Sequence, residues 1–181
     1  MLKRVLSYLL CLCLALPLTA CATAEEELLV TATFYPPYLA AINIARNVPG
    51  VGVRCLTPPQ AGCLHDYQMT TADRRSLEDS DVILQNGAGL EAFLDDLLPQ
   101  LRARVIDASA GVALLPAHGH DGHAHEAEWN PHVWVSVEGA IAQARNIAAG
   151  LAAADPAHAA QYDANCAAYV ESLEALLAEM R

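Results

Sequence analysis

The strongest constraint on this chain is an alternation. Short runs of β-branched and apolar residues recur at 28–34, 51–56, 81–85 and 104–107, with helix-like stretches between them. A strand, a helix and a further strand make a crossover unit, and such units join parallel strands with right-handed connections. The expected fold class is therefore α/β, a parallel sheet flanked by helices. The run at 28–34 is closed by Pro36 and Pro37 and feeds a helix expected to reach about Val48. Thr70 to Asp73 reads as a capping box opening a short helix that ends near Ser80, because a threonine oxygen and a carboxylate three residues on can both accept from helix-end amides. A further helix is expected at 90–101. From Ser136 the pattern is wholly helical: Val137, Ile141, Ala144, Ala148 and Leu151 form one apolar stripe. Asp155 and Pro156 then start a long helix with Tyr162, Cys166, Tyr169, Leu173, Leu176 and Met180 on one face. No glycine, proline or polar tail closes that helix before Arg181, so the sequence reads as cut within an element.

Parallel sheets bind ligands beyond the carboxyl ends of their strands. Two histidines fall at that edge: His65 after the second strand, and His132 after the long loop that follows the fourth. Neutral imidazole is the commonest metal ligand in proteins. A lone histidine is more often a surface or core residue, but these two sit in rigid contexts, one near Cys63 and one after Pro131. Between them lie His118, His120, His123 and His125, interleaved with glycine, alanine and Asp121. That spacing suits weak, exchangeable metal contacts better than a fixed site, and a solvated loop that happens to be rich in histidine is the plain alternative. A hydrolase centre built on His65 and Asp66 is disfavoured, since no zincin helix, nucleophile elbow or phosphate loop accompanies it. Asp66 and Tyr67 read instead as groups that orient the His65 ring.

The amino terminus carries Lys3 and Arg4 and then an apolar stretch too short to span a bilayer comfortably, which is the pattern of a secretory signal. It ends in Leu18-Thr19-Ala20-Cys21, the lipobox pattern of bacterial lipoproteins. Residues 1–20 are thus expected to be removed and Cys21 to be the lipid attachment site; an ordinary signal with an incidental cysteine is the alternative. Lipidation would hold an otherwise soluble protein at the outside of the cell membrane. Loss of Lys3 and Arg4 leaves eight arginines against 21 acidic residues. Such a chain lacks the basic face that nucleic acid requires. An acidic surface suits cation capture, although solubility alone explains it equally well. Export to an oxidising compartment permits a disulfide, and Cys55 and Cys63 would close a short proline-rich loop beside His65. Metal ligation by these thiols is weaker, because their spacing is not that of a zinc knuckle. Cys166 is expected to stay unpaired and buried on its helix.

Several motifs then occur in a telling order: Thr33 to Pro36, Gly62 to Tyr67, Asn86-Gly87-Ala88-Gly89-Leu90-Glu91, the histidine loop, and Asn130 to Trp134. Together they resemble the zinc and manganese solute-binding lipoproteins of bacterial ABC importers. The resemblance implies two α/β lobes joined by a rigid spine helix, with a metal ion between them. Here it implies a metal-binding lobe at 21–135 and a helical segment at 136–181 that begins the spine, with the second lobe beyond the sequence. It further implies that His65 and His132 are the metal ligands supplied by the first lobe, and that a third histidine and a carboxylate come from the second. The histidine loop tilts the expected ion toward zinc, with manganese the alternative. The implied partners are an ABC permease and its ATPase, together with the membrane through the lipid anchor; the protein is expected to be a monomer and not an enzyme. Two departures stand out: Leu64 replaces a proline common before the first ligand, and Val135-Ser136-Val137 replaces leucine-aspartate-proline after the second. The rival readings are a truncated lipoprotein that only buffers metal through its histidine loop, and a surface adhesion lipoprotein.

Overall fold

A computed structural model describes residues 28–58, 64, 67–117 and 129–181. Four short strands, β1 (Leu28–Ala32), β2 (Val51–Cys55), β3 (Val82–Gln85) and β4 (Arg104–Asp107), form one sheet in the order β2-β1-β3-β4. All three pairings are parallel, with Val30 opposite both Val53 and Val82. Among the described residues four α-helices accompany them: α1 (Tyr35–Ile44), α2 (Thr71–Glu78), α3 (Val137–Ala154) and α4 (Ala159–Glu179).

Alternation along the strands divides the core into two layers. Val30, Ala32, Val82 and Leu84 face α1, α3 and α4, where they meet Ala41, Ile44, Ile147, Leu151 and Tyr162. Ile83 points the other way, into a smaller cluster with Leu56, Leu77, Leu94 and Leu97. Burying each such leucine or isoleucine contributes about 1.5–3 kcal/mol. Residues 136–181 thus share the sheet's own core. Close approach makes this possible: a Cβ added at Gly150 of α3 would stand 2.6 Å from the Ile106 side chain on β4.

Local chemistry explains the helix boundaries. Prolines occupy the first turn of α1, where a missing N–H costs nothing. That helix stops at Ile44, short of the expected Val48, because Asn47 turns left-handed at φ 57° and Asn165 of α4 donates to the carbonyls of Ile44 and Arg46. The capping box at the start of α2 is present as expected, Thr70 accepting from the Asp73 amide and Asp73 from the Thr70 amide. Ser136 caps α3 by accepting from the Gly139 amide.

The expected α-helix at 90–101 is replaced by two short 3₁₀ turns, Ala92–Leu94 and Leu98–Gln100. Pro99 cannot donate within a continuing α-helix, and the three-residue spacing of buried Leu94 and Leu97 suits the tighter winding. Along α4, Tyr162, Cys166 and Val170 are buried, and Tyr169 and Leu173 pack partly against the same core. The end of the expected stripe is different: Leu176 is 46% exposed and Met180 is 69% exposed. Cys166 is buried and unpaired, as expected.

Candidate metal centre

In a sheet ordered 2-1-3-4 the connection leaving β1 runs to one side, toward β2, and that leaving β3 runs to the other, toward β4, so a crevice opens between the carboxyl ends of β1 and β3. Thr33 and Phe34 follow β1 at that point, and Asn86 follows β3. Gly87, Ala88 and Gly89 then take three successive left-handed conformations, at φ 82°, 54° and 81°. Position 87 demands glycine twice over, since a Cβ there would collide with the side chains of Asp107 and Ser109.

This tight turn brings Glu91 back beneath the crevice, where it is buried. One carboxylate oxygen accepts from the Thr33 hydroxyl at 2.7 Å and the Asn86 amide at 2.7 Å, and the other accepts from the Gly87 amide at 3.1 Å. Burial pushes the carboxyl up from its ordinary range, against the opposing pull of those three donors. Asn86, fully buried, donates to the Gly87 and Pro131 carbonyls, each at 2.9 Å, and accepts from Gln143 of α3 at 2.8 Å. The segment bearing His132 is thereby fastened to the end of β3.

His132 itself is exposed at the crevice. Its Nδ1 lies 2.7 Å from Asn130 Oδ1, and the same oxygen accepts from the His132 backbone amide at 3.0 Å. Because that backbone N–H can only donate, the shared atom is an acceptor, so Nδ1 is the ring nitrogen that donates to it. Trp134 packs beside the imidazole with centroids 5.2 Å apart, and meets Phe34 edge-on at 4.9 Å.

His65 lies outside the described residues, as do Asp66, Cys63, the loop histidines 118, 120, 123 and 125, and Cys21 with the whole of residues 1–20. The residue before His65 is described. Leu64 is buried with Phe34 and Leu90, and Trp134 packs against that cluster. Tyr67, expected to help orient the His65 ring, donates its hydroxyl to Asp73 at 2.9 Å. Burial, together with that carboxylate, pushes its phenol up to about 12. Cys55 carries a free thiol that donates to the Thr57 carbonyl at 3.1 Å. No group of three or more metal-ligating side chains assembles among the described residues.

The sequence motifs contain Thr33, Asn86, Glu91 and Asn130 but gave none of them a role, and Gln143 was missed altogether. An asparagine two residues before His132, across Pro131, was the legible signal for Asn130. Gln143 is 57 residues from Asn86, and nothing in the local pattern pairs them.

Residues 30–181 match the family model described as zinc-uptake complex component A, periplasmic. The chain belongs to that family. Among its relatives are the zinc-binding lipoprotein AdcA of Streptococcus pneumoniae, 30% identical over 96% of this chain, and the iron-binding protein YfeA of Yersinia pestis, 35% identical over 77%. The chain spans 36% and 44% of the length of these two relatives. Solved structures agree. A manganese-bound periplasmic metal-binding protein from Candidatus Liberibacter asiaticus superposes with a TM-score of 0.70 at 28% identity, covering 81% of this chain and 53% of that one. Zinc-bound AdcA of Streptococcus pneumoniae gives a TM-score of 0.71 at 26% identity, covering 82% of this chain and 31% of that one. The parallel sheet with flanking helices and a long carboxyl-terminal helix is therefore the architecture of the family's metal-binding proteins.

Proposed function

We propose that the chain captures a divalent metal ion outside the cytoplasm as the solute-binding component of an ABC importer, with zinc the preferred ion and manganese the alternative. His65 and His132 are its ligands from this lobe, each binding as a neutral base. The observation that carries the reading is the small apolar cluster at the crevice. Leu64, next to His65, and Trp134, two residues from His132, pack there against Phe34, so the two segments bearing the expected ligands converge on one sheet edge. The bond to Asn130 supports it, because a ring oriented through Nδ1 would meet a cation through its other nitrogen, Nε2. Family membership and the metals named for the relatives point the same way.

The chain spans 36% and 44% of the length of the two relatives, and on this reading the remaining ligands come from outside residues 1–181. On this reading the protein is a carrier and not an enzyme. It is tethered to the membrane through lipid on Cys21, and it passes its ion to a permease driven by a separate ATPase. His118, His120, His123 and His125 sample metal and deliver it to the crevice. Pairing of Cys55 with Cys63 in the oxidising compartment would brace the segment before His65, and thiol counting on protein recovered from the periplasm checks it.

Zinc titration by calorimetry tests the assignment. Replacing His65 and His132 with alanine removes the tighter binding phase, whereas deleting residues 118–125 removes only weak sites. Retained affinity in the double variant would refute the ligand pair, and loss of all binding in the deletion would favour a simple buffer.

A further inference from the structure

We propose that Asn86 and Gln143 are positioning residues for metal capture, setting where the His132 imidazole stands; the inference rests on His132 being a metal ligand. The Asn86 amide is fully engaged. Its nitrogen donates to the Gly87 and Pro131 carbonyls, and its oxygen accepts from Gln143 Nε2. Pro131 O is the acceptor immediately before His132, and it also accepts from the Val133 amide at 2.8 Å. His132 therefore stands at the apex of a tight turn whose carbonyl is gripped from the end of β3. Asn86 is itself held in place, since the Glu91 carboxylate takes its backbone amide and that of Gly87.

Gln143 gives the grip a direction. If the Asn86 amide turned over, its oxygen would face the Pro131 carbonyl and its NH₂ would face the Gln143 donor, so two attractive contacts would become repulsive. Asn86 is 0% exposed and Gln143 is 5% exposed, which leaves no water to mend either contact. Gln143 lies in the helix that Ser136 caps just beyond the turn. The turn is thus pinned from β3 on one side and from α3 on the other. An arrangement that only filled the core would have no need to aim a buried amide at the carbonyl next to the candidate ligand.

The test uses the full chain and three variants. Asn86→Asp keeps the shape but removes the donors; Gln143→Met keeps the volume but removes the hydrogen bond that orients Asn86. Asn165→Ala is the comparison, because it deletes two similar bonds, to Ile44 and Arg46, at the far end of the fold. Zinc affinity is measured by calorimetry, stability by melting, and the His132 ring nitrogens by long-range proton–nitrogen spectra recorded without metal.

Asn86→Asp and Gln143→Met are expected to weaken zinc about tenfold, the lower end of what an orienting partner contributes, and to move the His132 ring signals. Asn165→Ala lowers the melting temperature while leaving zinc affinity and ring signals unchanged. Should Asn86→Asp fail to fold, Gln143→Met decides alone. Unmoved ring signals with unchanged affinity, or an equal loss of zinc in Asn165→Ala, would overturn the positioning role. Lost affinity in His132→Ala, with none lost in Asn86→Asp or Gln143→Met, would sink this inference and leave the metal reading standing. Unchanged affinity in His132→Ala would sink both.

Discussion

Two histidines in this fold hold nearly the same local geometry and serve opposite ends. His132 sets its Nδ1 2.7 Å from Asn130 two residues earlier, and His158 sets its Nδ1 2.7 Å from Asp155 three residues earlier. The partners differ in charge. An amide oxygen that already accepts from the backbone can only accept from the ring as well, so it fixes which ring nitrogen donates. A carboxylate can pair with a charged ring and so serves as a structural lock. Asp155 also accepts from the buried Tyr162 hydroxyl at 2.8 Å, which binds the turn between α3 and α4. Position sharpens the contrast, since α3 carries the chain about 27 Å from the crevice, at 1.5 Å for each residue of an 18-residue helix. A histidine's partner, more than its distance to that partner, separates a candidate ligand from a brace.

The largest expected effect is on the ligand side. His132→Ala should lose more zinc affinity than the roughly 10–100-fold that an orienting partner is worth, while His158→Ala should lose none. Calorimetry on both variants breaks the comparison if the two behave alike. Next comes Asn130→Ala, which frees the ring to take either tautomer and should weaken zinc by about tenfold with little change in melting temperature.

On the brace side the expected signature is stability without metal. Tyr162→Phe should cost about 1 kcal/mol in urea unfolding and leave zinc binding intact. The smallest effect is in acid. Burial pushes the Asp155 carboxyl up, but the bonds from His158 and Tyr162 outweigh it and hold the group below its usual range. A carboxyl lowered on folding contributes stability that is present above its unfolded value of about 3.9 and is lost as pH falls through the folded value. Asp155→Asn should therefore flatten the acid limb of the melting curve below about pH 4, and an unaltered limb would show that the lock is not electrostatic.

Much of the fold was legible because strand periodicity and helix punctuation are local. The four strands fall within two residues of their expected ends, and Thr70 and Ser136 act as caps. The stretch at 90–101 misleads because leucines three and four apart fit an α-helix and a 3₁₀ turn equally, and only tertiary packing around Pro99 decides. At the crevice, the place of the segment bearing His132 could be read from residue type and strand position. The buried Glu91 and the Asn86–Gln143 pair could not be, because each depends on partners that only the assembled sheet brings near.

Asn165 reaches back 121 residues to the carbonyl of Ile44, and Tyr162 seals the layer over the first strand. A polypeptide built from its amino end therefore emerges with its central strand made early and this part of its cover made much later. Until α3 and α4 arrive, the apolar face of β1 and β3 that they share is covered by α1 alone, so folding of this layer is set by long-range closure.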